Sequence, residues 1–337
     1  MPATPLRLLL PAFGIFLACL SSPLQAAETY SICSWNVENF GVTDRIIDGN
    51  RVEIAMKPDK EIASMMAILK RLHPDILGLC EILQDPKDRY VKQVQSELKK
   101  AGLDYPHLST CKGGDSRIQN VLLSRFPILR EEPVTDQTFD STLKDPVTKL
   151  KTRQPHKMER GIINSVIEIK PGYQVRVMLV HLKSKRADPG IVSDEAKESG
   201  DAFVRRNEAL IVKGAMNRVL DADPEARLIV MGDFNDTSRS RAVTTIIGSK
   251  DAANRCFDLW LKDWLGDWWT HYHFPEKSYE RIDYMVVSKH LFGEWNTSKS
   301  CVYRQNQNDP PEYSTYAPSD HRPLLAVFNL PEIPKTD

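Results

Sequence analysis

The sequence predicts an α/β fold that contains mixed β-sheets, and two patterns along the chain indicate this fold. Short apolar segments with the composition of strands alternate with amphipathic helical segments. The segments 161–169 and 174–181, in contrast, follow each other closely around Pro171-Gly172, which is typical of an antiparallel hairpin. Because parallel and antiparallel neighbours are both indicated, a mixed sheet fits better than a purely parallel one.

Eight segments rich in β-branched and apolar residues are predicted as strands. They are 30–35, 76–80, 120–124, 161–169, 174–181, 227–231, 281–288 and 324–329. Three segments with apolar residues at helical spacing are predicted as helices, at 59–72, 90–100 and 203–220. Pro74 ends the first helix. The polar stretches 131–160 and 183–203 are expected to be loop-like insertions near one face.

Composition limits the class of protein without naming its chemistry. The 337 residues include 45 basic and 45 acidic side chains and 41% hydrophobic residues, which is ordinary for a globular protein. Zero net charge excludes a chain that coats nucleic acid by bulk positive charge, so a polyanion would need a local basic patch. No repeat or flexible linker divides residues 28–337, and we expect them to form a single domain.

The first 27 residues have the layout of a secretory signal peptide. Arg7 precedes the apolar run 8–20, and Ala26-Ala27 offers small residues for cleavage. The run is shorter than the roughly 20 apolar residues of a membrane span. We therefore expect a secreted or periplasmic protein. Lipid attachment at Cys19 is the alternative, although Phe16 fits a lipid-attachment motif poorly.

Five cysteines remain beyond the signal peptide, and an odd number cannot pair completely. Cys33 and Cys80 lie in apolar strand-like segments and are expected to be core residues. Cys256 and Cys301 are the candidates for a disulfide, and no partner is assigned to Cys111. The absence of CxxC spacing argues against a zinc or iron–sulfur site built on cysteines.

Polar residues capable of catalysis follow apolar strands in five places. These are 34–40, 79–81, 181–184, 231–236 and the pair 281–284 and 319–323. Strands that end at one shared edge would bring Asn36, Glu81, His181, Asp233 and Asn235 together. Converging carboxylates repel one another unless a divalent cation lies between them, and oxygen ligands suit Mg²⁺ or Mn²⁺.

Each motif is weak by itself, but their joint occurrence in this order is specific. The motifs are Ser34-Trp35-Asn36, Pro74-Asp75-Ile76 with Glu81, His181-Leu182-Lys183-Ser184, Gly232-Asp233-Phe234-Asn235, Arg281-Ile282-Asp283-Tyr284 and Ser319-Asp320-His321-Arg322-Pro323. Through them, the sequence resembles the endonuclease/exonuclease/phosphatase family, with the fold of pancreatic-type deoxyribonuclease, over residues 34–323. The resemblance implies a four-layer α/β sandwich in which helices flank two packed mixed β-sheets, with the site at one edge.

The resemblance also implies roles for individual residues. Glu81 would be the principal metal ligand, with Asp320 near the same ion. Asp233 and Asn235 would position and activate the attacking water and complete the metal-ligand set. Asn36 would bind the scissile phosphate or orient the neighbouring carboxylates. The ion would be Mg²⁺ or Mn²⁺, and Ca²⁺ is the alternative for a purely structural role.

Two histidines complete the implied site. His181 would contact a non-bridging phosphate oxygen, and Asp283 would hydrogen-bond His321, fixing its tautomer and raising its pKa. Whether His321 or Asp233 accepts the proton of the water stays open, and so does the residue that supports His181. Arg160 lies where relatives carry a phosphate-contacting arginine, with a plain surface charge as the alternative.

The family serves several phosphoester substrates, so the resemblance alone does not choose one. Lys183, Lys185 and Arg186 follow His181 and would hold flanking phosphates, which favours nucleic acid. A solvated charged face is the alternative for these side chains. No segment reads as an exposed aromatic hairpin suited to membrane insertion. The tryptophans are expected to lie in the core rather than to stack on bases, at positions 264, 268 and 269.

The function expected from these observations is a secreted, Mg²⁺-dependent nuclease that cuts DNA endonucleolytically with low sequence specificity. A sphingomyelinase-like enzyme or an inositol-phosphate phosphodiesterase or phosphatase is the enzymatic alternative. A catalytically silent binding module or toxin subunit should have lost residues such as Glu81, Asp233 or His321, and none is lost. We expect a monomer without a protein partner or stable membrane insertion.

Overall fold

The computed structural model describes residues 28–186, 190–193 and 198–331, and the predicted signal peptide with Cys19 lies outside them. The described strands are β1 (Thr29–Phe40), β2 (Val42–Ile47), β3 (Asn50–Met56), β4 (Ile76–Leu83), β5 (His107–Cys111), β6 (Ile118–Ser124), β7 (Ile128–Glu131), β8 (Thr138–Lys144), β9 (Lys151–Lys157), β10 (Ile163–Lys170), β11 (Tyr173–His181), β12 (Ile191–Val192), β13 (Leu228–Asp233), β14 (Phe257–Asp258), β15 (His271–His273), β16 (Ser278–Glu280), β17 (Asp283–Val287), β18 (Cys301–Val302) and β19 (Leu324–Asn329). The described helices are α1 (Asp59–Leu72), α2 (Arg89–Lys100), α3 (Gly200–Ala222), α4 (Arg241–Ile247), α5 (Lys289–Gly293) and the 3₁₀ turn Pro311–Tyr313.

Two six-stranded sheets, each with one central parallel pair, form the middle of the molecule. The first has the order β18-β19-β1-β4-β6-β5, and the second has the order β14-β17-β13-β11-β10-β7. β1 pairs with β4 in parallel and β11 pairs with β13 in parallel, whereas the other neighbours are antiparallel. The predicted mixed sheets are therefore confirmed.

Three apolar layers separate the sheets and the helices. In β13, Ile229 and Met231 belong to the layer between the two sheets, whereas Leu228 and Val230 belong to the layer under α3 and α4. This division follows from the strand, because successive side chains point to opposite faces. The third layer lies between the first sheet and the pair α1 and α2. Helices, sheet, sheet and helices together form the four-layer sandwich that the resemblance implied.

The three helices predicted from apolar spacing are present as α1, α2 and α3. α1 buries Ile62, Met65 and Leu69 against the first sheet. It ends at Leu72, and the C-cap residue His73 adopts a left-handed conformation with φ 47°. Pro74 follows directly and cannot continue the helix, which explains the agreement between the predicted and observed ends.

The stretches 131–160 and 183–203 were predicted as loops, and the structure corrects this. The first contains the antiparallel hairpin β8–β9, to which β12 from the second adds a third strand. Nearly every residue of β9 is exposed. Such a hairpin lacks the alternation of apolar and polar residues by which a half-buried strand is recognised in a sequence. The exposed hairpin β2–β3 was not predicted for the same reason.

The candidate disulfide between Cys256 and Cys301 is not formed, so that prediction is wrong. All five cysteines of the described chain are free. Cys256 lies in the layer under α3 and α4, whereas Cys301 packs against the layer on the outer side of the first sheet. The two thiols therefore belong to different layers. Cys33 and Cys80 are buried, as predicted.

The expectation that the tryptophans lie in the core is also wrong for two of the three. Trp264 is 52% exposed and Trp268 is 46% exposed, whereas Trp269 is partly buried and stacks on Tyr316. Phe274, in the turn of the hairpin β15–β16, is exposed as well. An exposed aromatic hairpin is therefore present. Among the described residues, no helix has the length and apolar character needed to cross a membrane.

Candidate active site

Strands from both sheets bring the predicted catalytic residues to one edge of the sandwich. In the first sheet Asn36 is the register partner of the residue that precedes Glu81. In the second sheet His181 and Asp233 are partners in the parallel pair β11/β13, and Asp233 also faces Asp283 at the start of the antiparallel strand β17. This edge opens into a cavity of about 830 Å³.

The side-chain amide of Asn36 joins the two sheets. Its Nδ2 donates hydrogen bonds of 3.0 Å to Glu81 Oε1 in the first sheet and to Asp233 Oδ2 in the second. Its Oδ1 accepts the backbone N–H of Glu38 at 3.0 Å. Asn36 is buried. These contacts favour the role in which Asn36 orients the carboxylates over direct binding of the phosphate.

A β-bulge positions the carboxylate of Glu81. The pairing of β1 with β4 shifts between Asn36 and Phe40, and Glu81 and Asn39 adopt φ angles of 66° and 56°. The N–H of Asn39 donates to Glu81 Oε2 at 3.0 Å. A positive φ is uncommon and unfavourable outside glycine, and such residues concentrate at functional sites. Both oxygens of Glu81 are therefore held by β1.

Asp283 and His321 are 38 positions apart in the chain, yet a hydrogen bond of 2.8 Å joins Asp283 Oδ2 to His321 Nδ1. Both side chains are buried. Thr270 Oγ1 accepts the backbone N–H of Asp283, and Trp35 Nε1 donates to the carbonyl of His321. Burial alone would lower the pKa of His321, but the charges of Asp283 and Asp233 outweigh burial and raise this pKa well above its ordinary value.

Asp233 lies between the two histidines of the site. Its Oδ2 is 3.6 Å from His181 Nε2 and 3.7 Å from His321 Nε2. Burial, and after it the negative charge of Asp283, raise the pKa of Asp233 to about 7. A carboxyl and an imidazole at this separation can both reach one water molecule, so the geometry allows either of them to accept its proton.

Asn235 follows Asp233 in a tight turn and lines the cavity. Its N–H donates to Asp233 Oδ1 at 2.8 Å, and its Nδ2 donates to the carbonyl of Leu182 at 2.9 Å. The φ of Asn235 is 54°, a conformation that asparagine adopts more readily than most residues. The turn therefore fixes Asp233 and Asn235 relative to each other.

His181 is electrostatically different from His321. Burial lowers the pKa of His181 well below its ordinary value, and the positive charge of Arg160 lowers it further. The imidazole is therefore neutral near pH 7 and can donate one hydrogen bond. Its Nε2 lies 3.9 Å from Glu81 Oε1. Nδ1 has no hydrogen-bond partner within the described part of the chain, so no described residue orients this ring through Nδ1.

Two of the predicted phosphate-binding cations are buried in the cavity wall. Arg160 pairs with Asp115 at 3.2 Å and with Glu159 at 2.9 Å. Lys183 Nζ lies 3.7 Å from a Glu159 oxygen. Both side chains line the cavity, but each shares its charge with a carboxylate. Their contacts therefore hold the wall together in addition to any contact with phosphate.

Three exposed cations extend the same wall toward solvent. They are Arg117, Lys185 and Arg186. Lys185 Nζ pairs with Glu280 at 2.9 Å across the cavity mouth. Arg205 does not extend this wall, because it is buried and its Nε donates to Asp236 Oδ2 at 2.9 Å.

Glu208 of α3 was not predicted as a site residue, although its carboxylate organises this wall. Oε1 accepts the N–H of Glu159 at 2.8 Å, and Oε2 accepts the N–H of Lys183 at 2.6 Å. Burial, and then the charge of Glu159, raise the pKa of Glu208 to about 7. A glutamate within a predicted amphipathic helix gives no sequence signal of this contact.

His271 of β15 was also missed. Its Nε2 lies 3.5 Å from Asp320 Oδ2, and its ring centroid lies 4.6 Å from that of His321. The N–H of Asp320 donates to Glu38 Oε2 at 3.3 Å. The alternation His271-Tyr272-His273 was the available signal, because it places both histidines on one face of a strand.

Comparisons with known proteins agree with the topology. The model of the Endonuclease/Exonuclease/phosphatase family matches residues 33–321. The catalytic domain of human Nocturnin with bound sulfate superposes with a TM-score of 0.57 and 17% identity, covering 89% of this chain and 94% of that one. Truncated Caenorhabditis elegans TDP2 gives 0.54 and 16%, covering 90% and 98%. A family protein from Leptotrichia buccalis gives 0.55 and 15%, covering 89% and 100%. No curated protein matches significantly.

Glu208 is expected to make stability depend on pH. Its pKa rises from 4.5 to about 7 on folding, so between these values the folded state holds a proton that the unfolded state has released. The contribution of this group to the free energy of unfolding therefore falls as the pH rises from 4.5 to 7. Urea unfolding at several pH values should show a flatter profile for Glu208→Gln. The exposed Glu53→Gln variant should keep the wild-type slope, and equal slopes in all three proteins would contradict the prediction.

The contact between Asp283 and His321 predicts coupled losses of activity. Asp283→Asn keeps the shape but removes the charge, and we expect a loss of about 10²–10⁴ in kcat. Because the two side chains act as one unit, Asp283→Asn/His321→Ala should be little worse than His321→Ala. The double-mutant cycle measures this, and multiplicative losses would show that the two residues act independently.

Proposed function

Because the chain belongs to the endonuclease/exonuclease/phosphatase family, we propose that it is a divalent-metal-dependent phosphodiesterase that hydrolyses DNA. The proposed mode is endonucleolytic with low sequence specificity, and the proposed location is outside the cytoplasm. The observation that carries the proposal is the Asn36 amide, which holds Glu81 and Asp233 at one edge beside the Asp283–His321 pair. This is an assembled acid–base site, which also argues against a catalytically silent module.

The residues at this edge fit a divalent cation. Glu81, Asp233 and Asp320 line one cavity, and both oxygens of Glu81 accept hydrogen bonds from neutral groups. A second observation is that burial, and then the negative charge of Asp283, raise the pKa of Asp233, so a cation nearby would stabilise its charged form. Glu81 and Asp320 would hold Mg²⁺ or Mn²⁺, with Asp233 and Asn235 beside it. The bound ion would neutralise charge that develops on the phosphoryl oxygens.

The protein's own groups account for the proton transfers. A water positioned by Asp233 and Asn235 would attack phosphorus, and its proton would pass to the Asp233–His321 pair. The same pair would give a proton to the leaving oxygen as the ester P–O bond breaks, so the proton balance is closed. Asp283 keeps the His321 ring oriented and favours its protonated form. His181 is neutral and buried, so it would donate a hydrogen bond to a non-bridging oxygen without carrying a charge of its own.

The cations that line one wall of the cavity, here called the cation wall, favour a polyanionic substrate. Arg117, Lys185 and Arg186 are exposed at the mouth, where phosphates on either side of the scissile bond would lie. Contacts to phosphate carry no base information, which is why low sequence specificity is proposed.

One observation favours the alternative of a lipid phosphodiesterase. The hairpin β15–β16 lines the cavity with His271 and His273, whereas Phe274 in its turn and Tyr279 are exposed. Aromatic side chains in such a position suit a membrane interface. Plasmid nicking and sphingomyelin hydrolysis, each with and without EDTA, separate the two. Metal-dependent release from sphingomyelin without nicking would replace the proposal by this alternative.

The metal-binding role of Glu81 predicts a specific kinetic defect. Glu81→Gln can keep the hydrogen bond from Asn36 but removes the charge and the acceptor of the Asn39 N–H, so kcat should fall far more than DNA affinity. Nicking assays and fluorescence anisotropy measure the two quantities. Excess EDTA should abolish turnover in the wild type, and full activity in EDTA would refute the metal requirement.

The exposed cations predict the salt dependence of DNA binding. Replacing Lys185 and Arg186 by alanine should reduce the slope of log K against log salt by roughly two units, or about one per phosphate contact. Lys183 is left intact because it is buried. Lys99→Ala/Lys100→Ala, at the exposed end of α2, is the control and should keep the wild-type slope. An unchanged slope in the first variant would place the DNA elsewhere.

A further inference from the structure

A cluster of two imidazoles and one carboxylate lines the cavity, where β15 meets the segment before β19. We call His271, Asp320 and His321 the histidine cluster. Each offers one ligand atom, and these atoms lie within 4.8 Å of one another. His271 Nε2 is 3.5 Å from Asp320 Oδ2, and His321 Nε2 is 3.9 Å from Asp320 Oδ1.

These separations are close to those of ligands around one metal ion. With bonds of about 2.1 Å in tetrahedral geometry, ligand atoms lie about 3.4 Å apart. Small side-chain movements would bring the observed distances of 3.5 and 3.9 Å to this value. Imidazole nitrogen is a ligand that Zn²⁺ prefers and that Mg²⁺ does not, so the donor set is different in kind from the oxygen ligands around Glu81.

Backbone contacts hold the three residues in place. β15 bridges the segment before β19, with His271 facing His321. The N–H of Tyr272 donates to the carbonyl of Asp320 at 2.9 Å, and the N–H of Arg322 donates to the carbonyl of Thr270 at 2.7 Å. A cluster fixed by backbone bonds needs little reorganisation to bind an ion.

Asp283 supplies a further feature of a metal site. It occupies His321 Nδ1 through the 2.8 Å hydrogen bond, which leaves Nε2 to face the cavity. Histidines that bind metals commonly present one nitrogen to the ion and donate from the other to a carboxylate. Asp283, His321 and an ion would form such a triad.

We propose that the histidine cluster binds Zn²⁺ and that this ion inhibits the enzyme. Zinc would occupy His321 Nε2, which the proposed reaction needs for proton transfer, and would engage Asp320, which the proposed activating ion also needs. The binding part of the inference does not depend on the proposed function. The inhibition part does rest on it.

Zinc binding can be measured without substrate. Competition with a chromogenic chelator, in magnesium-free buffer, should show one tight Zn²⁺ per wild-type molecule. His271→Phe keeps an aromatic ring against His321 but removes the ligand, so zinc affinity should fall at least tenfold. His290→Phe is the matched control, because His290 lies beside Glu225 and Glu294 in another part of the fold, and its affinity should stay at the wild-type value.

A second variant and a spectroscopic probe distinguish the loss of a zinc ligand from the loss of the fold. His271→Asn should weaken zinc as His271→Phe does, with far-ultraviolet circular dichroism confirming the fold. Co²⁺ in the wild type should give the intense visible bands of a four-coordinate site, and both His271 variants should lose them. Equal zinc affinity in wild type and both His271 variants would overturn the proposal.

The effect of zinc on activity is measured for each protein relative to its own activity without zinc. In a magnesium-supported nicking assay, the zinc concentration that halves the activity should rise at least tenfold in His271→Phe and stay unchanged in His290→Phe. If zinc binds through His271 but no phosphodiesterase activity is found, the site stands and the proposed function fails. If activity is present and zinc inhibition is independent of His271, the inhibitory role is wrong.

Discussion

The side-chain amide of Asn36 donates both of its hydrogens to carboxylates that belong to different sheets. Packing between two sheets is apolar and non-directional, so it does not by itself set the distance between Glu81 and Asp233. The two carboxylates also repel each other. One buried amide fixes their separation and compensates part of both charges. The bulge at Asn39, the turn at Asn235 and the position of His321 are all arranged around carboxylates placed in this way.

Two buried histidines at the same edge are held in opposite charge states. His181 lies near the Arg160 cation, and both burial and this charge favour its neutral form. His321 is bonded to Asp283 and lies near Asp233, and these carboxylates outweigh the effect of burial. Different surroundings thus shift the pKa values of two identical side chains in opposite directions. At one pH, His181 can then donate a hydrogen bond while His321 takes part in proton transfer.

The cavity has two chemically different walls. On one side, α3 places Glu208 under the segments that carry Arg160 and Lys183, so a helix of the outer layer shapes the cation wall. On the other, the hairpin β15–β16 presents His271 to Asp320 and His321. Anionic substrates suit the first wall, and imidazole-preferring metal ions suit the second. The same hairpin also carries exposed aromatic side chains, so it faces both the cavity and the solvent.

The sequence was sufficient to predict eight strands, the three main helices and the strand-end motifs, because buried segments carry apolar periodicity and the motifs are local in the chain. It also predicted that Asn36, Glu81, His181 and Asp233 converge, because each follows an apolar strand. The parallel pairs β1/β4 and β11/β13 each bring two of these residues to one edge, and the packing of the two sheets brings the pairs together. The sequence did not reveal the exposed hairpins, the free state of Cys256 and Cys301, or the contacts of Glu208 and His271, which become visible only in the folded chain. These features depend on which distant segments pack together. A contact between residues far apart in the chain produces no periodic pattern in the sequence around either of them.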